Sequence, residues 1–474
     1  MLFFPPLPRA RYPVSARPGG PAKIAPGRGF PMFSEERSSV SPAHQRSQQS
    51  AAVPGARHGR LRKSSPWLTG IKATAAALAV VMVSGAGVAA YAAWDIVNTA
   101  KPSVTLSNTA EVPPIDEIKG GVNLLLVGSD SRQGQDPSFG DPTKETGVLN
   151  DVTMLLHISE DHSAASVVSF PRDMFVDVPE CVGPDGQKYP AMRSAKINST
   201  LARGGLACTV STVEKLTNLS IPFAAEVQFN GVIELSNAVG GVEVCVAQEI
   251  SDRYTGTFLE PGMHNLQGLD ALQFLRTRHG VGDGSDLGRI SNQQVFLSAL
   301  VRELKDSATL SDPTKLFSIA KAAVSNMTLS SNLNNINTMV QIALALKAIP
   351  LEQVVFVQYP NALGSSGGQS GVLPLKGPAD ELFAAISGDK PISLSGDTGL
   401  GSVKEDPATP GAPTESATQA PATQAPATQA PATPDAGTGT LAPTDGGAVV
   451  LPPSVQGQTA GEFTCSAGNA KPKR

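Results

Sequence analysis

Between Ala73 and Trp94 the chain runs for 22 residues without a charge, rich in Ala, Val and Gly. A helix rising about 1.5 Å per residue carries such a run across a hydrocarbon core of about 30 Å. Arg57, Arg60, Arg62, Lys63 and Lys72 precede the run and Asp95 follows it. The positive-inside bias therefore predicts a single-pass protein of the cell membrane, with a cytoplasmic N-terminus and everything after Trp94 exported. The alternative is a cleaved leader, because Ala90-Tyr91-Ala92 has the small-x-small pattern of a cleavage site. A leader of that length far exceeds the usual 15 to 30 or so residues, which favours a retained anchor.

The anchor explains the charge. Residues 1 to 72 hold 12 Lys/Arg against Glu35 and Glu36, a net +10, so the other 402 residues carry -14 of the whole-chain -4. Residues 1 to 70 are rich in Pro, Arg, Gly and Ser, lack apolar periodicity and are expected to be a disordered basic tail beside the anionic inner leaflet. No aromatics interleave with its arginines as a stacking platform for nucleic acid needs, so no nucleic-acid partner is expected. A second low-complexity tail is expected over 401–474, where TQAPA repeats three times within Thr418 to Ala432, a composition suited to an extended stalk. All four cysteines lie beyond the anchor, as export implies. Pairing Cys181 with Cys208 would close a loop of 26 intervening residues and contribute about 3 to 4 kcal/mol in the chain-entropy model. Cys245 and Cys465 are then left either to pair by elimination or to stay free.

In the exported part, strands are expected at 122–127, 152–158, 165–170, 225–229, 241–246 and 353–359, from short apolar runs closed by polar or Gly residues. Helices are expected at 207–219, 231–239, 269–278, 287–304, 313–325 and 333–349. The mixture predicts an α/β fold with a central mixed sheet flanked by helices, preceded by one transmembrane helix at 71–97 and bounded by disordered termini.

No HExxH, G-x-S-x-G or Walker A sequence is present. Gly280 to Gly284 follows a helix rather than a strand, so it suits a mobile loop better than a dinucleotide site. Arginines and carboxylates gather instead at element ends: Asp130 and Arg132 after the first strand, Asp151 opening the second, Arg172 and Asp173 after the third, Arg276 and Arg278 ending a helix. Asp286, Arg289 and Gln293 share one face of the next helix. Converging arginine forks suit phosphate oxygens, and two carboxylates can hold a Mg²⁺ that shares its oxygen ligands with a diphosphate. Taken singly, each of these residues is an ordinary surface ion pair until something brings it to the others.

Five ordered blocks carry a resemblance: LLLVGSDSR (Leu124 to Arg132), SFPRDMFVDVP (Ser169 to Pro179), KINSTLARGG (Lys196 to Gly205), VGGVEVCV (Val239 to Val246) and LDALQFLRTRHGVGDGSDLGRISNQQ (Leu269 to Gln294). Together they resemble the LytR-CpsA-Psr family. The resemblance implies a catalytic domain over 118–305, with 306–400 as a helical and strand extension. It further implies a membrane-anchored phosphotransferase that moves a glycopolymer from an undecaprenyl diphosphate carrier to peptidoglycan, usually to the C6 hydroxyl of N-acetylmuramic acid. Carried over by position, it puts metal ligation for Mg²⁺ on Asp130 and Asp151. Diphosphate binding falls on Arg172, Arg276, Arg278 and Arg289, with Asp286 and Gln293 in the same block and Asp286 the expected proton acceptor. A lipid-diphosphate phosphohydrolase and a non-enzymatic envelope sensor or transcriptional attenuator are the rival functions; the tail has no helix-turn-helix pattern to serve the latter.

The chain departs from many relatives at Leu149 and Asn292, where they have Arg, and in a longer insertion between Asp130 and Asp151. Arg132 or His279 is expected to restore some of that charge. The lipid chain needs an apolar groove, for which Phe229, Leu235, Phe274 and Phe296 are candidates, although core is the better reading for each.

Overall fold

The computed structural model describes residues 66–99, 101–106, 115, 118, 121–306, 312–405 and 447–469. The basic tail up to residue 65 and the TQAPA repeats lie outside these. Helix α1 (Pro66–Thr99) starts five residues before the expected span and ends two after it. Its side chains from Val80 to Val83 are 64–73% exposed. Among the described residues it is the one helix long and apolar enough to cross a membrane, which is compatible with a single-pass anchor.

The part of the chain that follows α1 is built on a sheet of seven strands. In chain order these are β1 (Val122–Ser129), β2 (Asn150–Ile158), β3 (Ala165–Phe170), β4 (Phe223–Val227), β6 (Met327–Leu329), β7 (Val354–Gln358) and β8 (Gly457–Thr459); β5 (Val242–Val246) and β9 (Thr464–Ser466) belong to a smaller sheet. The spatial order is β6-β4-β1-β2-β3-β7-β8. The sheet is mixed: β1 pairs antiparallel with β2 and β2 with β3, whereas β4 runs parallel to β1 and β7 parallel to β3. Strands β3 and β7 are buried at every position. Continuous Val/Leu/Ile runs of this kind are what a sheet covered on both faces requires.

One face packs Leu125, Val127, Leu155 and Val168 against α2 (Thr200–Thr217) and α8 (Lys376–Ser387). The other packs Leu124, Met154, Leu156 and Phe356 against α6 (Pro313–Asn326) and α7 (Ile336–Ala348). A third small core joins β5 to α4 (Leu269–Arg276) and α5 (Asp286–Asp306) through Val242, Val244, Phe274, Val295 and Phe296. Helix α3 (Phe229–Val239) follows β4 directly.

Cys181 and Cys208 are bridged, with Cα atoms 5.3 Å apart. A Cβ on Gly204 would lie 2.6 Å from the Cys208 Cβ and 2.9 Å from that of Cys181. The kink of α2 at Gly204 and Gly205 is therefore where the bridge passes, and only glycine fits there.

Two expectations need correction. First, the reading of 401–474 as a tail fails for 447–469. Strand β8 completes the edge of the central sheet beside β7, while β9 pairs with Ser402–Lys404 and β5. A second bridge, Cys245 to Cys465 with Cα atoms 4.5 Å apart, ties β9 to β5 and removes the free-thiol alternative. These strands are three residues long, too short to show periodicity, and they gain their order from the edges they complete. Second, the boundary at 305 does not divide the sheet, because β6 and β7 come from the extension. Smaller shifts also occur: the strand expected at 225–229 is Phe223–Val227, and the short strands between 175 and 196, the hairpin of 361–366 with 369–374 and α8 are additions to the expected elements.

Candidate active site

Strands β1, β3, β4 and β7 all end on the edge where β2 begins, so Asp130, Asp151 and Arg172 meet there by topology alone. A ligand site outside the carboxyl ends of strands is the usual position in such sheets. Arg172 Nη1 lies 2.5 Å from Asp151 Oδ1, and its Nε lies 3.7 Å from Asp173 and 3.6 Å from Asp286. Burial lowers the Arg172 guanidinium, but Asp151, Asp286 and Asp173 outweigh it and the pKa ends above the ordinary arginine value. Lys196 joins from the third sequence block, its Nζ 3.0 Å from Asp173 Oδ1.

Helix α5 supplies the floor. Arg289 is 6% exposed; its Nη2 donates to the Asp151 carbonyl at 2.7 Å and lies 2.6 Å from Asp286 Oδ1. Burial pushes this guanidinium below its usual pKa, with Asp286 and Asp151 opposing and Arg172 and Arg278 reinforcing the shift. Despite the ion pairs, Asp286 Oδ1, Arg172 Nε and Arg289 Nε are buried with no hydrogen bond aimed at them. The two guanidinium Nε donors therefore remain unspent at the centre of the cluster, while Asp286 Oδ1 is held by its ion pair with Arg289 Nη2. Gln293 spends its amide nitrogen on the Leu275 carbonyl at 3.0 Å, so it braces α4 against α5 beside Arg276.

Arg132 and Arg276 lie over the Phe229 ring, 4.7 and 4.5 Å from its centroid. Burial, then the charge of Arg132, pushes Arg276 below its usual pKa. Arg132 is also paired with Glu145 at 3.1 Å, so the insertion between the two aspartates folds back onto the cluster. At this mouth opens a cavity of about 190 Å³, lined by apolar side chains such as Val152, Met154, Val232, Leu275 and Leu297 with Asp151, Arg276, Arg289 and Gln293 at its polar end. Of the four groove candidates only Phe229 lines it. Phe274 and Phe296 are in the third core, and Leu235 packs against the second.

Asp130 is raised above the ordinary carboxylate range, chiefly by burial and also by the charge of Asp151, while the Leu149 N–H, Arg132 and Arg172 oppose the rise. Its Oδ1 accepts that N–H at 2.7 Å, so the residue that replaces an arginine serves the site through its backbone. Two close carboxylates whose charges repel fit a dication. No group of three metal-ligating side chains occurs among the described residues, so a cation here would keep water or substrate oxygens, as Mg²⁺ does.

Residues outside the expected set hold the rim. Asp252, 1% exposed, accepts from Thr277 Oγ1 and from the backbone N–H groups of Arg278, His279 and Gly280 through Oδ2, at 2.8–3.4 Å. Burial pushes its carboxyl up, but these bonds outweigh burial and leave it below the ordinary value. The adjoining glycine loop is not the mobile loop expected. Gly282 N–H donates to the Ala467 carbonyl, and Asn469 bonds Gly280 and His279. Asn292, the other departure, is fully buried and is bonded by Ser466 Oγ; the C-terminal segment occupies the space behind it. The His279 ring packs against Tyr254 at a tilt of 54°, with centroids 4.8 Å apart, whereas Arg132 lies beside Arg276 over Phe229.

The LytR_cpsA_psr family model matches residues 84–382. The chain is 30% identical over 268 residues to the cell wall biosynthesis protein LcpA of Corynebacterium glutamicum, a match covering 51% of each. It is 27% identical over 265 residues to the polyisoprenyl-teichoic acid–peptidoglycan teichoic acid transferase TagT of Bacillus subtilis, covering 54% of this chain and 75% of that one. The crystal structure of B. subtilis TagT aligns at 21% identity and a TM-score of 0.43, covering 60% of this chain and 99% of that one. The chain spans about half the length of the Corynebacterium relatives it matches, 51% of LcpA and 55% of the probable cell wall biosynthesis protein LcpB. Because the matched span takes in well over half of the chain and every arginine and carboxylate of the cluster, the chain belongs to the LytR_cpsA_psr family.

Proposed function

We propose that this protein is a membrane-anchored phosphotransferase that moves a glycopolymer from an undecaprenyl diphosphate carrier to peptidoglycan, with its N-terminus cytoplasmic and its catalytic part outside. One observation carries this reading: Arg276 and Arg289 line the polar end of an apolar cavity, and the buried Nε donors of Arg289 and of nearby Arg172 have no hydrogen-bond partner. A ligand that is a dianionic diphosphate at one end and hydrocarbon next to it matches that arrangement. The transferase names borne by relatives such as TagT support the same class.

In this reading Arg172, Arg276, Arg278 and Arg289 bind the diphosphate oxygens, and Arg132 extends their charge over Phe229. Asp130 and Asp151 would hold Mg²⁺, which supplies further positive charge for the diphosphate. Fixed guanidiniums of low exposure stabilise charge developing on the leaving phosphate without reorganising. The acceptor hydroxyl oxygen bonds to the sugar-proximal phosphorus. The bond from that phosphorus to the bridging oxygen breaks, and its electron pair leaves with polyprenyl monophosphate. The hydroxyl proton passes to Asp286, which is held in place by its ion pair with Arg289, and then to solvent.

The test is to incubate the full chain in detergent with a polyprenyl-diphosphate oligosaccharide, peptidoglycan and Mg²⁺, beside Arg172→Ala. Saccharide joined to peptidoglycan by the wild type alone supports the proposal. Free sugar phosphate would make the protein a phosphohydrolase, and binding without turnover a sensor.

A further inference from the structure

Next to the arginine cluster, where β7 ends, the same sheet edge carries a second depression of about 240 Å³. Its walls include Leu287, Pro360, Leu363, Leu400 and Gln456, and no charged side chain lines it. Gln358 lines it too; its side chain is 3% exposed, and neither Oε1 nor Nε2 has a hydrogen-bond partner. Leaving a buried amide unsatisfied forfeits its hydrogen bonds to water, so a donor and an acceptor held here together point to a ligand that offers both.

The ligand class follows by exclusion. With no cation in the wall, a phosphate or carboxylate has no counter-charge. With Leu287, Leu363 and Leu400 around an amide, the matching group has an N–H, a C=O and a methyl: an acetamido group. At about 30 Å³ per water the space holds roughly eight waters, or one sugar unit. The position is informative as well. Gln358 is level with Ser169 on β3, three residues before Arg172, and Leu287 follows Asp286. Adjacent strands lie about 4.8 Å apart and β7 is two strands from β2, so the two depressions are roughly 10–15 Å from one another.

We propose that this depression is an acceptor subsite that seats the acetamido group of an N-acetylated sugar and thereby presents a hydroxyl of the acceptor glycan to Asp286. The assignment rests on the transferase reading; its binding step needs no turnover and can be tested apart from it.

Binding to the full chain in detergent is measured for the N-acetylglucosamine tetrasaccharide, for its de-N-acetylated counterpart and for geranylgeranyl diphosphate. The wild type is expected to prefer the acetylated sugar. Gln358→Leu should weaken that sugar about tenfold, as loss of neutral hydrogen bonds does, and leave geranylgeranyl diphosphate unaffected. Leu363→Ser, at a rim position 76% exposed and so harmless to folding, should weaken it roughly threefold through lost apolar contact. Equal binding of the two sugars by the wild type, or unchanged acetylated-sugar binding in both variants, overturns the subsite. Absence of diphosphate binding would instead overturn the transferase reading and leave the subsite standing.

Discussion

Two depressions share one sheet edge and are built from opposite materials. The first, at the ends of β1 to β3, gathers Arg132, Arg172, Arg276, Arg278 and Arg289 with Asp130, Asp151 and Asp286. The second, at the end of β7, presents the Gln358 amide among leucines and lacks charge. Much of the first is held by strand ends and one face of α5, so its geometry is fixed by the sheet itself. The second takes Ser454 and Gln456 from the C-terminal segment, far beyond β7 in the chain. Topology thus supplies the position of both, whereas local sequence supplies the charge of one and a distant segment the wall of the other.

The strongest way to break this contrast is to release the C-terminal segment. Replacing Cys245 and Cys465 together by Ser opens a sequence separation of 220 residues and should cost up to about 5 kcal/mol of stability. Denaturation followed by ligand binding should show the acetylated sugar lost at lower denaturant than geranylgeranyl diphosphate; simultaneous loss would erase the distinction between the two regions.

Next in size, Arg289→Ala leaves Asp286 buried beside a missing partner. Transfer should fall by roughly 10²–10³, the scale for removing one fixed charge donor, with sugar binding retained. A steady-state assay beside the sugar titration separates these, and equal loss in both would show that α5 serves them as one unit.

Asp252→Asn sharpens the picture of the rim. Exchanging a carboxylate that accepts several bonds for an amide should cost about 1–3 kcal/mol, measurable by denaturant titration at neutral pH. Because the folded carboxyl lies below its ordinary pKa, its stabilisation is present above the unfolded value and is lost as pH falls through the folded one. The variant should therefore lose this acid dependence, and a variant with the wild-type profile would remove Asp252 from the account.

The smallest effect is the pH dependence of Asp130. Its raised pKa means that it protonates at higher pH than an ordinary carboxylate on acidification. Mg²⁺-dependent diphosphate binding should accordingly weaken from above the usual carboxylate range downward, and Asp130→Asn should abolish that inflection. For stability the sign is opposite: a carboxyl raised on folding favours the fold in acid, and this contribution is lost as pH rises through the folded value.

The contrast also explains what was legible in the sequence. Strands β1, β2, β3 and β7 were readable as apolar runs, and the arginines stood out because each follows such a run or ends a helix within a few residues. Asp252 was not readable, since the rim atoms that its Oδ2 accepts from lie 25 to 28 residues later and its nearer bond, from Tyr254 N–H, is that of an ordinary turn. Residues 447–469 were hidden for a related reason: three-residue strands have no period, and their stability comes from edges and a disulfide formed far away. Gln358 passed as one more residue of a buried strand, because only the finished structure shows its amide without partners.

The most direct test of the central claim uses a polyprenyl-diphosphate oligosaccharide carrying radioactive phosphorus only in the sugar-proximal phosphate. With the full chain, peptidoglycan and Mg²⁺, the account predicts that the label becomes bound to peptidoglycan while unlabelled polyprenyl monophosphate is released. Label recovered as free sugar phosphate, or retained on the lipid, would contradict it.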